Sequence, residues 1–487
     1  VADGASAVSD GRQAEPLQSP QYIDSAGIDL DGCREAIDRI DRELVALLEE
    51  RFDVARQVIR YKERRGLPVL DKRREDALLA GLSGFCREET FPYIKEDFAM
   101  IMEQSRNFQE EHRLSFGLLG RTLGHSHSPR VHKMLGGYEY GLFERTEDQL
   151  DEFMTAGTFQ GISVTIPYKR AVIPYCSQLS ARAKACNSVN TIVRREDGSL
   201  FGDNTDYAGF RDTVEASGVD VSGAKALILG SGGVSGTVIH VLRDLGAGPV
   251  IDISRSGGDN YETIGKHSDA QIIVNATPVG MFPQAGTALA DLSLFPACKG
   301  VFDLIYNPLR TQLMLDAEKR GIPTFSGLKM LVAQAAAAAE LFTGKAVPDE
   351  KTEEVMQKLQ AEMENIVLIG MPGCGKTSVG KRLAKDTGRA FVDLDKRIAE
   401  ETGRTPAEII TADGINAFRA IETETLRRIV RDTSGGNTET GAVIATGGGI
   451  VERDENRDLL RENGAVVYLK RPLRRLPLRN RPVSQAD

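Results

Sequence analysis

At 487 residues the chain is too long for one hydrophobic core and reads as three or four domains of roughly 100–200 residues. Its 61 Lys and Arg against 70 Asp and Glu leave a net charge of −9, which argues against a broad nucleic-acid surface but leaves room for local cation clusters that grip small anions. Six cysteines (Cys33, Cys86, Cys176, Cys186, Cys298, Cys374) without any CxxC spacing do not make a disulfide framework, and no apolar run approaches the ~20 residues of a membrane span. No signal peptide is visible, and the sequence starts at Val1 rather than Met. The expectation is a multidomain protein of a reducing, cytoplasmic compartment, with no nucleic-acid or membrane partner.

In chain order, residues 1–27 are rich in Ala, Ser, Gly, Asp and Gln, show no sustained apolar period, and are expected to form a disordered leader. Residues 28–113 read as a small all-α unit. Ile37, Ile40, Leu44, Leu47, Leu48, Phe52, Ala55 and Ile59 recur at helical spacing, Gly66 and Pro68 stop that helix, and two further helical stretches follow near 71–87 and 93–112. Arg51 and Lys62, eleven residues apart, share a face, whereas Arg34 lies seventeen residues from Arg51, roughly 100° round the helix. Asp71, Arg74 and Glu75 share another face, as do Ser105 and Gln109. Spacing alone describes ordinary solvated helix surface. The set Arg34, Arg51, Lys62, Asp71, Arg74, Glu75, Ser105 and Gln109, in order and without a gap, resembles the all-helical chorismate mutase family. The resemblance implies an intertwined homodimer formed through these helices, in which Arg34 enters the partner's site. It also implies arginine clamps on the two carboxylates of chorismate, Lys62 and Gln109 facing the ether oxygen, and Glu75 on the substrate hydroxyl. Such a rearrangement needs no nucleophile, only a compact conformer and stabilised developing charge.

At Ser115 short apolar runs (Phe116–Leu119, Gly161–Ile166, Ala226–Leu229) begin to alternate with helical segments and Gly-rich turns, the βαβ texture of a parallel sheet, and this continues to about residue 345. Within it, residues 222–320 read as a Rossmann unit. The strand at 226–229 enters Gly230-Ser231-Gly232-Gly233-Val234-Ser235, an imperfect dinucleotide fingerprint, because Ser235 stands where the third glycine would be. The next strand ends at Ser254-Arg255-Ser256, and a basic, hydroxyl-rich end favours the 2′-phosphate of NADP, while Asp252 keeps NAD as a minor alternative. His125-Ser126-His127-Ser128-Pro129, Val164-Thr165-Ile166-Pro167-Tyr168-Lys169, Asn187-x-x-Asn190-Thr191, Gly202-Asp-Asn-Thr-Asp206 and Gly327-Leu-Lys-Met-Leu-Val-Ala-Gln334 follow one another in this region. The series resembles shikimate dehydrogenase across 114–345. The resemblance implies that Ser126, Ser128, Thr165, Asn190, Tyr306 and Gln334 bind the substrate and that Lys169 and Asp206 flank the reacting carbinol. A lysine beside a carboxylate can supply and take the proton that must accompany hydride transfer. His125 and His127, at i, i+2 without further Cys or His, are a poor metal pair and are read as structural. The same resemblance leaves a quinate-active dehydrogenase open as a rival.

Residues 346–364 read as a linker or connecting helix, and a second α/β unit runs over 365–487. After its first strand, Gly370-Met-Pro-Gly373-Cys-Gly375-Lys376-Thr377-Ser378 fits G-x4-G-K-[ST]. Glycines there let backbone N–H groups approach phosphate, a helix N-terminus adds positive potential, Lys376 reaches the outer phosphates, and Thr377 can ligate Mg2+. With Asp393-x-Asp395, Phe418-Arg419-x-x-Glu422, the triplet Gly447-Gly448-Gly449 and a lid-like Arg481-Pro482-Val483, this end resembles shikimate kinase. The resemblance implies ATP with Mg2+ as the phosphoryl source. It implies that Asp393 helps organise the metal, that Asp395 and Arg419 hold the ring, that the glycine triplet lies against it, and that Arg481 sits on the lid. The family continues for several dozen residues past the lid whereas the sequence stops at Asp487, so weak phosphorylation of shikimate is expected.

The expected architecture is an all-α mutase domain, an α/β dehydrogenase with a substrate domain and a Rossmann domain, and an α/β P-loop kinase domain. The expected function is a three-enzyme fusion acting on chorismate, 3-dehydroshikimate and shikimate. The alternative is an active dehydrogenase joined to a nucleotide-binding kinase remnant and a helical dimerisation or effector module.

Overall fold

A computed structural model describes residues 23–472 apart from 25–26, 66, 114, 125, 157–158 and 434–439; most of the leader, His125 and Arg481 lie outside the described residues. The chain divides into two compact units, Val1–Leu114 and Ser115–Asp487.

The first unit holds a two-strand pair, β1 (Ile23–Asp24) and β2 (Gly27–Ile28), and three helices, α1 (Leu30–Arg65), α2 (Lys72–Gly81) and α3 (Phe91–Glu111). The 36 residues of α1 span roughly 54 Å. Ala55 and Ile59 of α1 are buried, and Phe52 packs its ring 4.9 Å from that of Phe108 on α3. Asp71 caps α2, its carboxylate accepting the Arg74 N–H at 3.0 Å. Pro92, at the second position of α3, fits an N-terminus whose N–H groups need no partner.

In the second unit a six-stranded sheet is built from β3 (Phe116–Gly120), β4 (Tyr140–Glu144), β5 (Gly161–Val164), β6 (Gln178–Leu179), β7 (Thr191–Arg194) and β8 (Leu200–Asp203), in the order β4-β3-β5-β7-β8-β6. Its β4-β3-β5 part is parallel, as the βαβ texture implies, whereas β7 runs antiparallel to both β5 and β8. The cause is local. Asp197-Gly198 makes a tight turn, with Gly198 at φ 81° and the Arg195 N–H bonded to Ser199 O at 2.9 Å, so β7 and β8 close as a hairpin instead of crossing over.

The Rossmann sheet is wholly parallel: β9 (Ala226–Leu229), β10 (Val250–Ile253), β11 (Ile272–Asn275), β12 (Gly300–Asp303) and β13 (Thr324–Ser326), ordered β10-β9-β11-β12-β13. Buried Ala226, Leu227, Ile228 and Leu229 form a continuous apolar run, as a strand covered on both faces requires. The segment read as a linker contains a packed helix, Asp349–Met363. Its buried Val355, Leu359 and Met363 join Val131, Leu328 and Val332 of the preceding α/β region, and Arg130 pairs with Glu362 at 2.7 Å. That helix feeds directly into a third sheet of β14 (Asn365–Ile369), β15 (Phe391–Asp393), β16 (Val443–Ala445) and β17 (Gly464–Tyr468), all parallel and ordered β15-β16-β14-β17.

Candidate active sites

In the dehydrogenase region Lys169 follows β5 and Asp206 opens the helix Thr205–Ser217, whose Asn204 cap accepts the Tyr207 N–H. Lys169 Nζ lies 2.6 Å from Asp206 Oδ2, with the side chains only 16% and 10% exposed. The Lys169 carbonyl accepts the Val189 N–H at 2.8 Å, which ties its loop to the entrance of β7. Asn190 is buried beside the pair. Its Oδ1 accepts the Thr205 N–H at 2.6 Å and its Nδ2 donates to Thr205 Oγ1 at 3.1 Å, so it also holds the N-terminus of the helix bearing Asp206. Thr165 donates its N–H to Leu119 O, Ser126 Oγ accepts the Ser128 N–H, and Gln334 Nε2 is bonded to Leu331 O of its own helix. Tyr306 meets the ring of His127 edge-on at 5.9 Å. Burial, then Arg130, pulls the His127 pKa down, which keeps its imidazole neutral. No group of three or more His, Cys, Asp or Glu among the described residues is placed to hold a metal.

Next to this cleft, β9 runs into Gly230 at φ 110°, where any Cβ would strike Thr277. A Cβ at Gly232 or Gly233 would instead point into open space over the start of the helix Ser235–Asp244. A bare helix N-terminus under glycine backbone fits a pyrophosphate. At the end of β10, Arg255 and Ser256 are exposed, whereas Ser254 is buried, its N–H bonded to Asp259 O. Ser231 is exposed and Val234 half-buried at the helix entrance.

In the kinase region Gly370, Gly373 and Gly375 take φ of 146°, 74° and 105°, conformations that side chains rarely adopt. Lys376 Nζ arches over the loop to Gly370 O at 2.7 Å and Met371 O at 3.1 Å, while Ser378 is exposed one turn into the helix. Thr377 Oγ1 donates to Asp393 Oδ2 at 2.8 Å, so the two oxygens expected at Mg2+ are adjacent. This hydroxyl–carboxylate pair fits an ion that takes most of its ligands from phosphate and water. Burial, then the neighbouring Asp393 carboxylate, pushes the Asp395 carboxyl up, against the pull of Lys376 and Arg419. Arg419 bonds Glu422 at 2.8 Å and Glu452 at 2.9 Å. The glycine triplet lies tightly against these side chains. A Cβ at Gly447 would meet Glu422 and Asp395, one at Gly448 would meet Pro372, and one at Gly449 would collide with the Arg419 guanidinium.

In the helical unit Arg51 hydrogen-bonds Ser105 Oγ, and Gln109 Nε2 bonds Ser105 O at 3.2 Å, leaving buried Gln109 Oε1 without a partner. Lys62 Nζ reaches Val69 O at 2.5 Å. Glu75 pairs with Arg106 at 2.6 Å, and Arg74 is exposed. Arg34 is 66% exposed and pairs with Asp31 beside it on α1. Sequence reasoning missed Arg106, Glu452 and Arg471, whose guanidinium reaches Gly373 O at 3.4 Å. Each is recognisable only through its partner in space.

Family models match four stretches: chorismate mutase type II over residues 33–110, the shikimate dehydrogenase substrate binding domain over 118–192, the shikimate 5'-dehydrogenase C-terminal domain over 327–357, and shikimate kinase over 372–485. A relative named shikimate dehydrogenase (NADP(+)) from Clostridium perfringens is 32% identical over 269 residues, covering 50% of this chain and 98% of the relative. The chain belongs to the shikimate dehydrogenase family. A shikimate dehydrogenase (NADP(+)) from Chlorobium phaeovibrioides is 34% identical over 270 residues, 48% of this chain and 92% of the relative. The solved chorismate mutase/shikimate 5-dehydrogenase fusion protein from Clostridium acetobutylicum is 30% identical, covers 51% of this chain and 97% of its own, and gives a TM-score of 0.48. Around its dehydrogenase the chain carries a chorismate mutase region and a shikimate kinase region, and it is a multifunctional enzyme of the shikimate pathway acting on small carboxylates.

Proposed function

We propose that the chain reduces 3-dehydroshikimate to shikimate with NADPH, phosphorylates shikimate with ATP, and rearranges chorismate to prephenate as a homodimer. The observation that carries the reading is the Lys169–Asp206 contact of 2.6 Å at the edge of a dinucleotide cleft. NADPH, when bound, supplies the hydride. Lys169 holds a proton at the carbonyl oxygen as negative charge grows there, and Asp206, 2.6 Å away, fixes the position of its ammonium group. Ser126, Ser128, Thr165, Asn190, Tyr306 and Gln334 orient the ring. Gly230 to Gly233 take the pyrophosphate, and Arg255 with Ser256 takes the 2′-phosphate.

In the kinase, Lys376 leaves its loop carbonyls for the outer phosphates. Thr377 and Asp393 hold Mg2+, and Asp395 with Arg419 grips the ring at the glycine triplet. In the mutase, Arg51, Lys62, Ser105 and Gln109 form one half of the site, and Arg34 of a second copy completes it. The support is an apolar stripe left bare on α1, with Ile37 56%, Leu47 62% and Val54 52% exposed. Among the described residues no helix is long and apolar enough to cross a membrane, and a cytoplasmic location suits a biosynthetic enzyme with reduced cysteines. Assaying the three reactions separately on one preparation of the whole chain tests the reading. Absence of NADPH-dependent reduction of 3-dehydroshikimate overturns it.

A further inference from the structure

The loop from β12 to the helix Gln312–Lys319 carries Tyr306 into the dehydrogenase cleft. From the inside, Asp303 holds both its ends. The buried carboxylate accepts the Ile305 N–H at 3.1 Å and the Thr311 hydroxyl at 2.6 Å. From the outside, the middle of the loop is held by the kinase. The Leu309 N–H donates to Asn463 Oδ1 at 3.2 Å, the Arg310 N–H to Glu462 O at 2.8 Å, and Arg310 Nη1 to Arg461 O at 3.1 Å. Asn463 is itself immobilised, because its Nδ2 bonds Met363 O at 2.9 Å and its carbonyl accepts the Asn365 N–H at 2.7 Å. It therefore joins the dehydrogenase loop, the connecting helix and the first kinase strand.

The second loop beside the cleft is tied to the same place. Asn275 donates to Asp303 at 3.0 Å and anchors Thr277, and seven residues after Asn275 the Phe282 side chain packs against the apolar core of the kinase. The Phe282 N–H also bonds Asn307 O at 3.1 Å, which links the two loops. Salt bridges of Arg461 with Glu318 at 2.5 Å and of Lys319 with Asp458 at 2.6 Å fasten the rim.

We propose that the kinase domain is a built-in part of the dehydrogenase site: its 461–463 corner positions the Tyr306 loop and thereby sets the affinity for the ring substrate. Arg310, Arg461 and Asn463 are positioning residues. None reaches the reacting carbon, but a loop displaced by about 1 Å is enough to change binding and orientation strongly. The proposal rests on the assignment of the Tyr306 cleft to the dehydrogenase.

The test is a charge swap in the full chain. Glu318→Arg and Arg461→Glu, each alone, put like charges in contact at the corner. Each is expected to raise KM for 3-dehydroshikimate by about three- to tenfold while kcat and the chorismate mutase rate stay within about twofold, and the double swap is expected to recover part of that rise, because Glu318 also pairs with Arg310 at 3.6 Å and that contact is not restored. Asn463→Ala, which removes the acceptor of the Leu309 N–H, should raise the same KM. Unchanged KM in all three single variants, or a double swap with a KM no lower than that of Arg461→Glu alone, overturns the proposal. A parent chain that does not reduce 3-dehydroshikimate at all overturns instead the assignment on which it rests.

Discussion

In the N-terminal unit Arg34, Arg51 and Lys62, expected to grip substrate, stand on a long helix with an uncovered apolar stripe, and Arg34 pairs with Asp31 on its own helix. In the dehydrogenase, the sheet ends and helix caps of one chain bring Lys169 and Asp206 to 2.6 Å, with Asp206 buried and the Lys169 side chain only 16% exposed. The difference follows from what each region can cover by itself. Sheets packed between helices bury both faces and fix their loop ends, so this site is expected to need no second copy. A three-helix unit with one overlong helix cannot cover that helix, so its site is expected to need a second copy.

The largest effect that could break this contrast is in the mutase. Arg34→Ala and Lys62→Ala should each lower the mutase rate by about 10²–10³, the scale of losing one charge-stabilising donor. Mixing the two inactive variants should recover roughly a quarter of the parent rate. Half the dimers are then mixed, and each mixed dimer has one intact site. No recovery would mean that each site lies within one chain.

A second effect concerns the price of closure at the dehydrogenase–kinase corner. Burial, then Asp458, pushes the Glu462 carboxyl up from 4.5 to about 7. Because the folded-state pKa is raised, folding takes up a proton in this window, and the stabilising contribution is full below about 4.5 and lost as pH rises through about 7. Glu462→Gln should therefore stabilise the chain by up to about 3 kcal/mol at pH 8 and by much less near pH 4.5, as read by denaturant unfolding.

The smallest effect sharpens the contrast from within the dehydrogenase. Arg255 is exposed on a loop, unlike Lys169 and Asp206, whose side chains are 16% and 10% exposed. Arg255→Ala should raise KM for NADPH about tenfold, leave that for NADH nearly unchanged, and not alter kcat. Equal loss with both coenzymes would remove Arg255 from the 2′-phosphate.

What the sequence made legible was local. The helical period at Ile37 to Ile59 marks α1, and strand, glycine loop and Lys376 stand within a dozen residues. Even the antiparallel β7–β8 hairpin was signalled by Asp197-Gly198, a turn passed over within a βαβ texture. The dehydrogenase–kinase corner had no such signal. Leu309 and Asn463 are 154 residues apart, and neither is a residue type that announces chemistry. The carboxylate of Asp71 is engaged as the cap of α2, a structural role that spacing on a shared helix face does not separate from substrate binding.

The central claim is that the Lys169–Asp206 pair performs the reduction, and the chain offers its own reference for testing it. NADPH oxidation by 3-dehydroshikimate and conversion of chorismate to prephenate should be measured on the same samples of parent and Lys169→Ala. The expected result is a fall of about 10²–10⁴ in kcat for reduction with the mutase rate unchanged. Reduction at the parent rate in Lys169→Ala would contradict the claim.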